Sequence, residues 1–135
     1  MRDIKFRVWD KETKHMHICG EDVHDEISFE NETNKAYYYN LQNGCGSLRE
    51  DSVYILMQYT GLKDKNGKEI YEGDIVKVFT SKKWRIGKII YEYSGFTIDV
   101  TNNKELEYGR TGIIESLIEV IGNIYDNPEL LEEGE

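Results

Sequence analysis

The chain has 135 residues, with 26 Asp and Glu against 17 Lys and Arg and a net charge of −9. That balance argues against a broad basic surface for sequence-independent grip on nucleic-acid phosphates, although it leaves room for a local basic patch. No run approaches the ~20 apolar residues that span a bilayer, and Met1-Arg2-Asp3-Ile4-Lys5 lacks the apolar segment of a secretory signal. The expectation is a soluble cytoplasmic protein with no membrane partner, in which Cys19 and Cys45 are reduced thiols.

The length suits one domain, or two small subdomains sharing a core. Ten tyrosines against four phenylalanines point to a β-rich chain with half-buried aromatic faces. Ile4, Phe6 and Val8 alternate with Lys5, Arg7 and Trp9, which reads as a half-buried strand. Asp10 to Lys14 is a polar turn, and His15 to Cys19 alternates again, so the first element is a β-hairpin. Gly20 to Ala36 is acidic and reads as a solvated loop with a short strand around Ile27 to Phe29. Tyr37-Tyr38-Tyr39-Asn40-Leu41 reads as a strand, Asn43 to Ser47 as turn chemistry, and Ser52 to Tyr59 as a further strand.

Asp64-Lys65-Asn66-Gly67-Lys68 is polar and contains Asn-Gly, which suits a type I′ turn. Glu72-Gly73-Asp74 is a second turn, with Gly73 free to take a conformation that a Cβ resists. Ile75 to Thr80 then reads as a strand, Ser81-Lys82-Lys83 as a polar break, and Trp84 to Tyr93 as a strand in which Gly87 marks a bulge or sharp bend. A tight turn at Ser94-Gly95 leads into the alternating strand Phe96 to Val100. Thr101-Asn102-Asn103 turns again, Lys104 to Tyr108 has no clear preference, and Gly109 to Gly112 reads as loop. Leu117 to Tyr125 is apolar with a bend at Gly122. Asn127 before Pro128 suits the N-cap of a short helix running to about Glu133.

Met57-Gln58-Tyr59-Thr60-Gly61-Leu62-Lys63-Asp64, continuing through Asn66-Gly67-Lys68-Glu69-Ile70-Tyr71-Glu72-Gly73-Asp74, closely resembles the signature of the YopX-like family of phage and prophage proteins. Arg2 to Asp10 is similar to the family's N-terminal strand, and Glu119-Val120-Ile121-Gly122-Asn123-Ile124-Tyr125-Asp126-Asn127-Pro128-Glu129-Leu130 to its C-terminal motif. The resemblance spans nearly the whole chain in order. It implies a fold and a phage origin, hence the cytoplasm of a bacterial host, and brings no catalytic residues to carry over.

The fold expected is mainly β, α+β at most. Residues 1–60 form a β-rich N-terminal subdomain, residues 61–125 a small SH3-like antiparallel barrel packed on it, and residues 126–135 a short helix and acidic tail. Gly61, Asn66, Gly67, Gly73 and Asp74 are read as structural turn residues.

Four kinds of chemistry are weighed. His15, His17 and Cys19 lie at i, i+2 and i+4, on one face of a strand, and are zinc-capable with His24 or Cys45 as a fourth ligand. The competing reading is a solvent face opposite Met16 and Ile18, and no cofactor is expected. Lys82, Lys83, Trp84 and Arg85 combine cations with a stacking ring, the pairing that small barrels use on nucleic acid; against this stand the net charge and a plain charged hairpin tip. Glu69, Glu72 and Asp74 cluster as carboxylates, but no nucleophile or metal-protease motif accompanies them, and Asp74 is read as a turn former. Tyr37, Tyr38 and Tyr39 are consecutive, so a strand turns at least one outward, which suits a homo-oligomer or a phage or host protein partner. The leading expectation is a non-enzymatic binding or assembly module, with a nucleic-acid accessory protein and a metal-binding module as alternatives.

Overall fold

The computed structural model describes residues 3–19, 25–29, 36–40, 44–47, 53–100 and 109–132. The expectations for the acidic loop on either side of residues 25–29, for His24, for residues 101–108 and for the tail at 133–135 lie outside the described residues. The chain divides into two compact units, Ile4–Gln58 and Tyr59 onward, and both are antiparallel β structure.

In the first unit, β1 (Phe6–Asp10) and β2 (His15–Ile18) form the expected hairpin, with Val8 opposite His17 and Trp9 opposite Met16. Asp10 shapes its turn, as Oδ1 accepts the N–H groups of Glu12 at 2.9 Å and Thr13 at 3.2 Å. Then β3 (Asp25–Phe29), β4 (Ala36–Asn40) and β5 (Gly44–Ser47) make a three-stranded meander. Finally β6 (Tyr54–Lys63) returns along β1, with Val8 opposite Leu56.

Two expectations change here. The strand β1, central in its sheet, is buried from Arg7 to Asp10 on both its faces rather than on one. Residues 44–47 form a paired strand rather than a turn, since β4 supplies the ladder partner that turn-prone residues accept at a sheet edge. The core of this unit is Val8 and Tyr54, packed with Cys19, Ile27, Val53 and Leu56.

The second unit begins with the rest of β6, which pairs with β7 (Glu69–Tyr71) through Tyr59–Tyr71 and Lys63–Glu69, with a bulge between these pairs. There follow β8 (Asp74–Thr80), β9 (Lys83–Glu92), β10 (Gly95–Asp99) and β11 (Arg110–Thr111). A 3₁₀ turn at Glu115–Leu117, β12 (Ile118–Asn123) and a one-turn helix α1 (Glu129–Glu132) complete it. Five of these strands form one sheet in the order β11-β10-β9-β8-β12, curled into a half-barrel.

Its concave side holds Ile70, Val76, Val78, Ile89, Ile98, Val100 and Ile118, all essentially inaccessible to water. Each such side chain contributes about 1.5–3 kcal/mol of transfer free energy, so this cluster is the main force that keeps the sheet curled. Val76 and Val78 point inward, and Lys77 and Phe79 between them point to solvent, the period-two pattern of a half-buried strand. Gly87 serves the curl in a way different from the expected bulge. The β8–β9 register runs through it unbroken, and a Cβ there would lie 2.7 Å from the Asp99 carbonyl oxygen and from the Ile98 and Val100 side chains. It is a point of close approach. The register shift falls instead in β12, between Val120 and Gly122.

The turns separate into two groups. The loop Lys65–Asn66–Gly67 is closed by the Asp64 N–H donating to the Lys68 carbonyl at 2.8 Å and the Gly67 N–H to the Asp64 carbonyl at 3.0 Å. Only Gly67 has positive φ (82°), so this is a three-residue loop with a left-handed glycine rather than a type I′ turn, which needs both central residues there. The two-residue turns with paired positive φ belong to other residues: Ser81 (50°) and Lys82 (66°) between β8 and β9, and Tyr93 (54°) and Ser94 (76°) between β9 and β10. None is glycine, so each tip stores backbone strain. Residues 110–111, expected as loop, pair with β10 because Arg110 reaches Glu92 and Asp99 and the Thr97 hydroxyl donates to the Thr111 carbonyl at 2.9 Å.

Gly73 has φ of 88°, its N–H donates to the Ile89 carbonyl and its carbonyl accepts the Ile124 N–H, each at 2.9 Å. Gly73→Val is expected to lower unfolding free energy by about 1–3 kcal/mol, because a β-branched residue resists this conformation and both bonds depend on it. Urea denaturation followed by circular dichroism reads this directly, and an unchanged midpoint refutes it. Replacing Ser81-Lys82 by Asn-Gly is expected to raise the melting temperature by relieving the strained tip.

Candidate functional site

The two family-like motifs meet within the second unit, and the geometry shows what their residues do. The buried Asp64 carboxylate accepts three backbone N–H groups at 2.9 Å: Asn66 and Lys68 on Oδ1, and Val120 on Oδ2. Burial pushes its pKa up, but these three bonds and the positive charge of Lys68 outweigh that, so it sits below the ordinary carboxylate value. The Lys65 N–H donates to the Ile118 carbonyl at 2.9 Å, and Lys65 Nζ lies 3.7 Å from Glu119. The loop after β6 is thereby clamped along the outer edge of β12, covering backbone groups that would otherwise form an open sheet edge.

The neighbouring motif residues are also structural. Asp74 is buried and accepts the Tyr71 N–H at 2.8 Å, as its sequence reading as a turn former requires. Gly61 (φ 89°) sits in the bulge of β6. Asn123 Oδ1 accepts the N–H groups of Tyr125 and Asp126, while Asn127 Oδ1 accepts the Asn123 N–H at 3.3 Å, binding the segment before α1 back onto β12. Glu69 lies in β7 opposite Lys63, and Glu72 occupies the β7–β8 turn beside Asp74. Asp64 and Asp74 thus spend their carboxylates on turn geometry.

The histidines behave similarly. His15 and His17 share a face of β2 with ring centroids 4.6 Å apart, edge to face. Cys19 packs instead against the Val8–Tyr54 core. Among the described residues no set of three His, Cys, Asp or Glu is arranged to hold a metal ion.

The hairpin of β8 and β9 carries a chemically distinctive surface. Phe79 and Trp84 are cross-strand partners just behind the Ser81-Lys82 tip, with ring centroids 5.4 Å apart at 60°. They remain 38% and 41% exposed. Lys65 Nζ lies 5.1 Å and Lys77 Nζ 5.3 Å from the centre of the Trp84 ring, within range of cation–π attraction. Lys82 and Lys83 stand exposed at the tip. Arg85 is on the other side of the sheet, 4% exposed, with Nε donating to the Thr80 carbonyl at 3.2 Å. Strand alternation turns it away from Trp84, so it leaves the patch, and Phe79, Lys77 and Lys65 enter it.

Phe79 and Lys77 were legible in principle. A two-residue turn at Ser81-Lys82 pairs Phe79 with Trp84 and puts Lys77 two residues further along the same face. Lys65 was not, for it arrives only through the clamp on β12.

The fold and these contacts define an antiparallel β protein built on a curled half-barrel. The model of the family described as YopX protein matches residues 5–132. The chain belongs to the YopX family. It is similar to yopX from Bacillus subtilis, at 25% identity and a TM-score of 0.65, over 93% of this chain and 96% of that one. It is similar also to protein EF1440 from Enterococcus faecalis, at 27% identity and a TM-score of 0.58, over 97% and 99% of the two chains. No curated protein matches the sequence. Among the described residues no helix is long and apolar enough to cross a membrane.

Asp64→Asn keeps the shape of the side chain but sets its NH₂ group against backbone donors. The expected cost is about 1–3 kcal/mol at neutral pH, the usual penalty for leaving buried donors unmet. The folded pKa of Asp64 lies below 3.8. Its ionic contribution is therefore full above that value and is lost as pH falls through the lower, folded one. Denaturant midpoints of wild type and variant should converge on acidification; a constant gap refutes the assignment.

Proposed function

We propose that the protein is a non-enzymatic binding module of a phage or prophage, acting in the cytosol of its bacterial host and engaging an anionic partner through the outer face of the β8–β9 hairpin. One observation carries this reading: an exposed Phe79–Trp84 pair, held beside the ammonium groups of Lys65 and Lys77, on a chain with net charge −9. Large aromatic rings left in solvent cost hydration free energy, and lysines gathered around them repel each other. A partner carrying negative charge and flat or apolar surface offsets both costs. The Ser81-Lys82 tip adds a further exposed cation, Lys82, next to the aromatic pair, in a backbone conformation that asparagine or glycine would take more readily.

Chromatography on heparin–agarose at low salt tests the surface. The net charge alone predicts flow-through. Wild type should be retained and elute with salt, and Lys65→Glu/Lys77→Glu should pass through. Flow-through of the wild type, or equal retention of both proteins, defeats the reading.

Assembly is a second reading, favoured by the opposite tip of β9, where Tyr93 is 93% exposed at positive φ and Tyr91 is 56% exposed. Tyrosine at a protruding tip is an interface residue by chemistry. Light scattering after size exclusion should show an oligomer that Tyr91→Ser/Tyr93→Ser dissociates. A monomer at high concentration removes it.

A further inference from the structure

We infer that the anionic partner of this face is single-stranded nucleic acid, one base stacking on Trp84 while the lysines beside it meet the adjoining phosphates. The inference rests on the binding reading above and specifies its ligand. Three observations select this ligand over an acidic protein segment or a duplex.

The first is the kind of apolar surface. Trp84 and Phe79 present planar rings at 60° to each other rather than an aliphatic groove. A planar aromatic platform suits the π-face of a base, whereas an acidic peptide needs cations and backbone partners but no ring. The second is the placement of charge. The ammonium groups of Lys65 and Lys77 lie over the ring, 5.1 and 5.3 Å from its centre, so a base that takes the ring face displaces them toward its own phosphates. Lys82 stands exposed at the tip ahead of it, whereas Lys83, the strand neighbour of Trp84, alternates to the other face as Arg85 does. Positive charge thus lies both at the ring and at the tip beyond it, where the phosphates next to a stacked base would run. Glu119 pairs with Lys65 at 3.7 Å and faces Lys77 across the β12–β8 ladder. It limits the field to a few nucleotides.

The third is the extent of the patch. A duplex hides base faces and is held chiefly through many phosphates, which a net charge of −9 opposes. A single strand exposes its bases, and stacking supplies affinity that does not depend on net charge. Replacement of Trp84 in an exposed position leaves the Ile70–Ile118 core untouched, so the site can be tested in a folded protein.

Fluorescence anisotropy with a labelled oligo(dT) of about ten nucleotides, within the usual span of a small barrel, is the test. The same measurement is made with a labelled duplex and with labelled poly-glutamate. The expected result is binding of the single strand at low salt, quenching of tryptophan emission, and weaker binding to duplex. Trp84→Ala should weaken single-strand binding about tenfold or more, the usual loss for one stacked base. With three or four phosphate contacts, log K should fall against log salt with a slope of about −2 to −3. Single-strand binding that Trp84→Ala leaves unchanged, or tighter binding to duplex, overturns the inference. Binding of poly-glutamate without oligo(dT) overturns it too, while leaving the binding reading intact. Failure of all three probes removes both.

Discussion

The buried carboxylate of Asp64 accepts backbone N–H groups from both sides of a long sequence gap, two from its own loop and one from Val120. A charged acceptor with three donors is strong in a site shielded from water, and it is costly to disturb because every lost partner leaves a buried polar group unmet. Through this group the loop after β6 is fastened to the outer strand of the half-barrel. The Gly73 turn adds a second fastening, taking one bond from β9 through Ile89 and another from the end of β12 through Ile124. The long family motif is therefore best understood as a set of ties. Its Asp64 and Asp74 carboxylates are spent on backbone N–H groups.

Those ties have a consequence on the opposite surface. Because Asp64 and the Lys65 N–H hold the loop along β12, the Lys65 side chain lies over Trp84 instead of reaching into solvent. Structural motif and candidate surface are thus connected: the clamp supplies one of the cations of the patch. The core of the half-barrel, among the described residues, is a cluster of aliphatic side chains. What distinguishes this unit is presented on its convex side and at its hairpin tips.

In the second unit, positive φ is taken by glycine at Gly67 and Gly73, while in the first the β1–β2 turn places Lys14 there (55°). At the two tips of β9 it is taken by Ser81, Lys82, Tyr93 and Ser94. Side chains at those tips adopt a conformation that backbone preference disfavours. The strained Lys82 lies beside the aromatic pair, and the strained Tyr93 lies beside Tyr91.

Much of the architecture was legible in the residues. Alternation over Ile75 to Thr80 and Phe96 to Val100, the turn residues between them, and the order of the motifs were enough for a mainly β chain, a small curled barrel and the family. These signals are local, since the two-residue period of a strand and the φ preferences of a turn act within a few residues. The burial of β1 on both faces, the pairing of residues 44–47 and 110–111, and the exact form of the Asn66-Gly67 loop depended on partners elsewhere in the chain. So did the patch. Sequence adjacency grouped Arg85 with Trp84, but strand geometry sends neighbours to opposite faces. Lys65, nineteen positions away by number, is brought to the ring by a carboxylate that bonds a strand more than fifty residues further on. The sequence by itself determined most of the strands, the places of the turns between them, and the family. Only the tertiary structure decided which side chains share a surface, because that depends on long-range register and on where buried hydrogen-bonding groups find their partners.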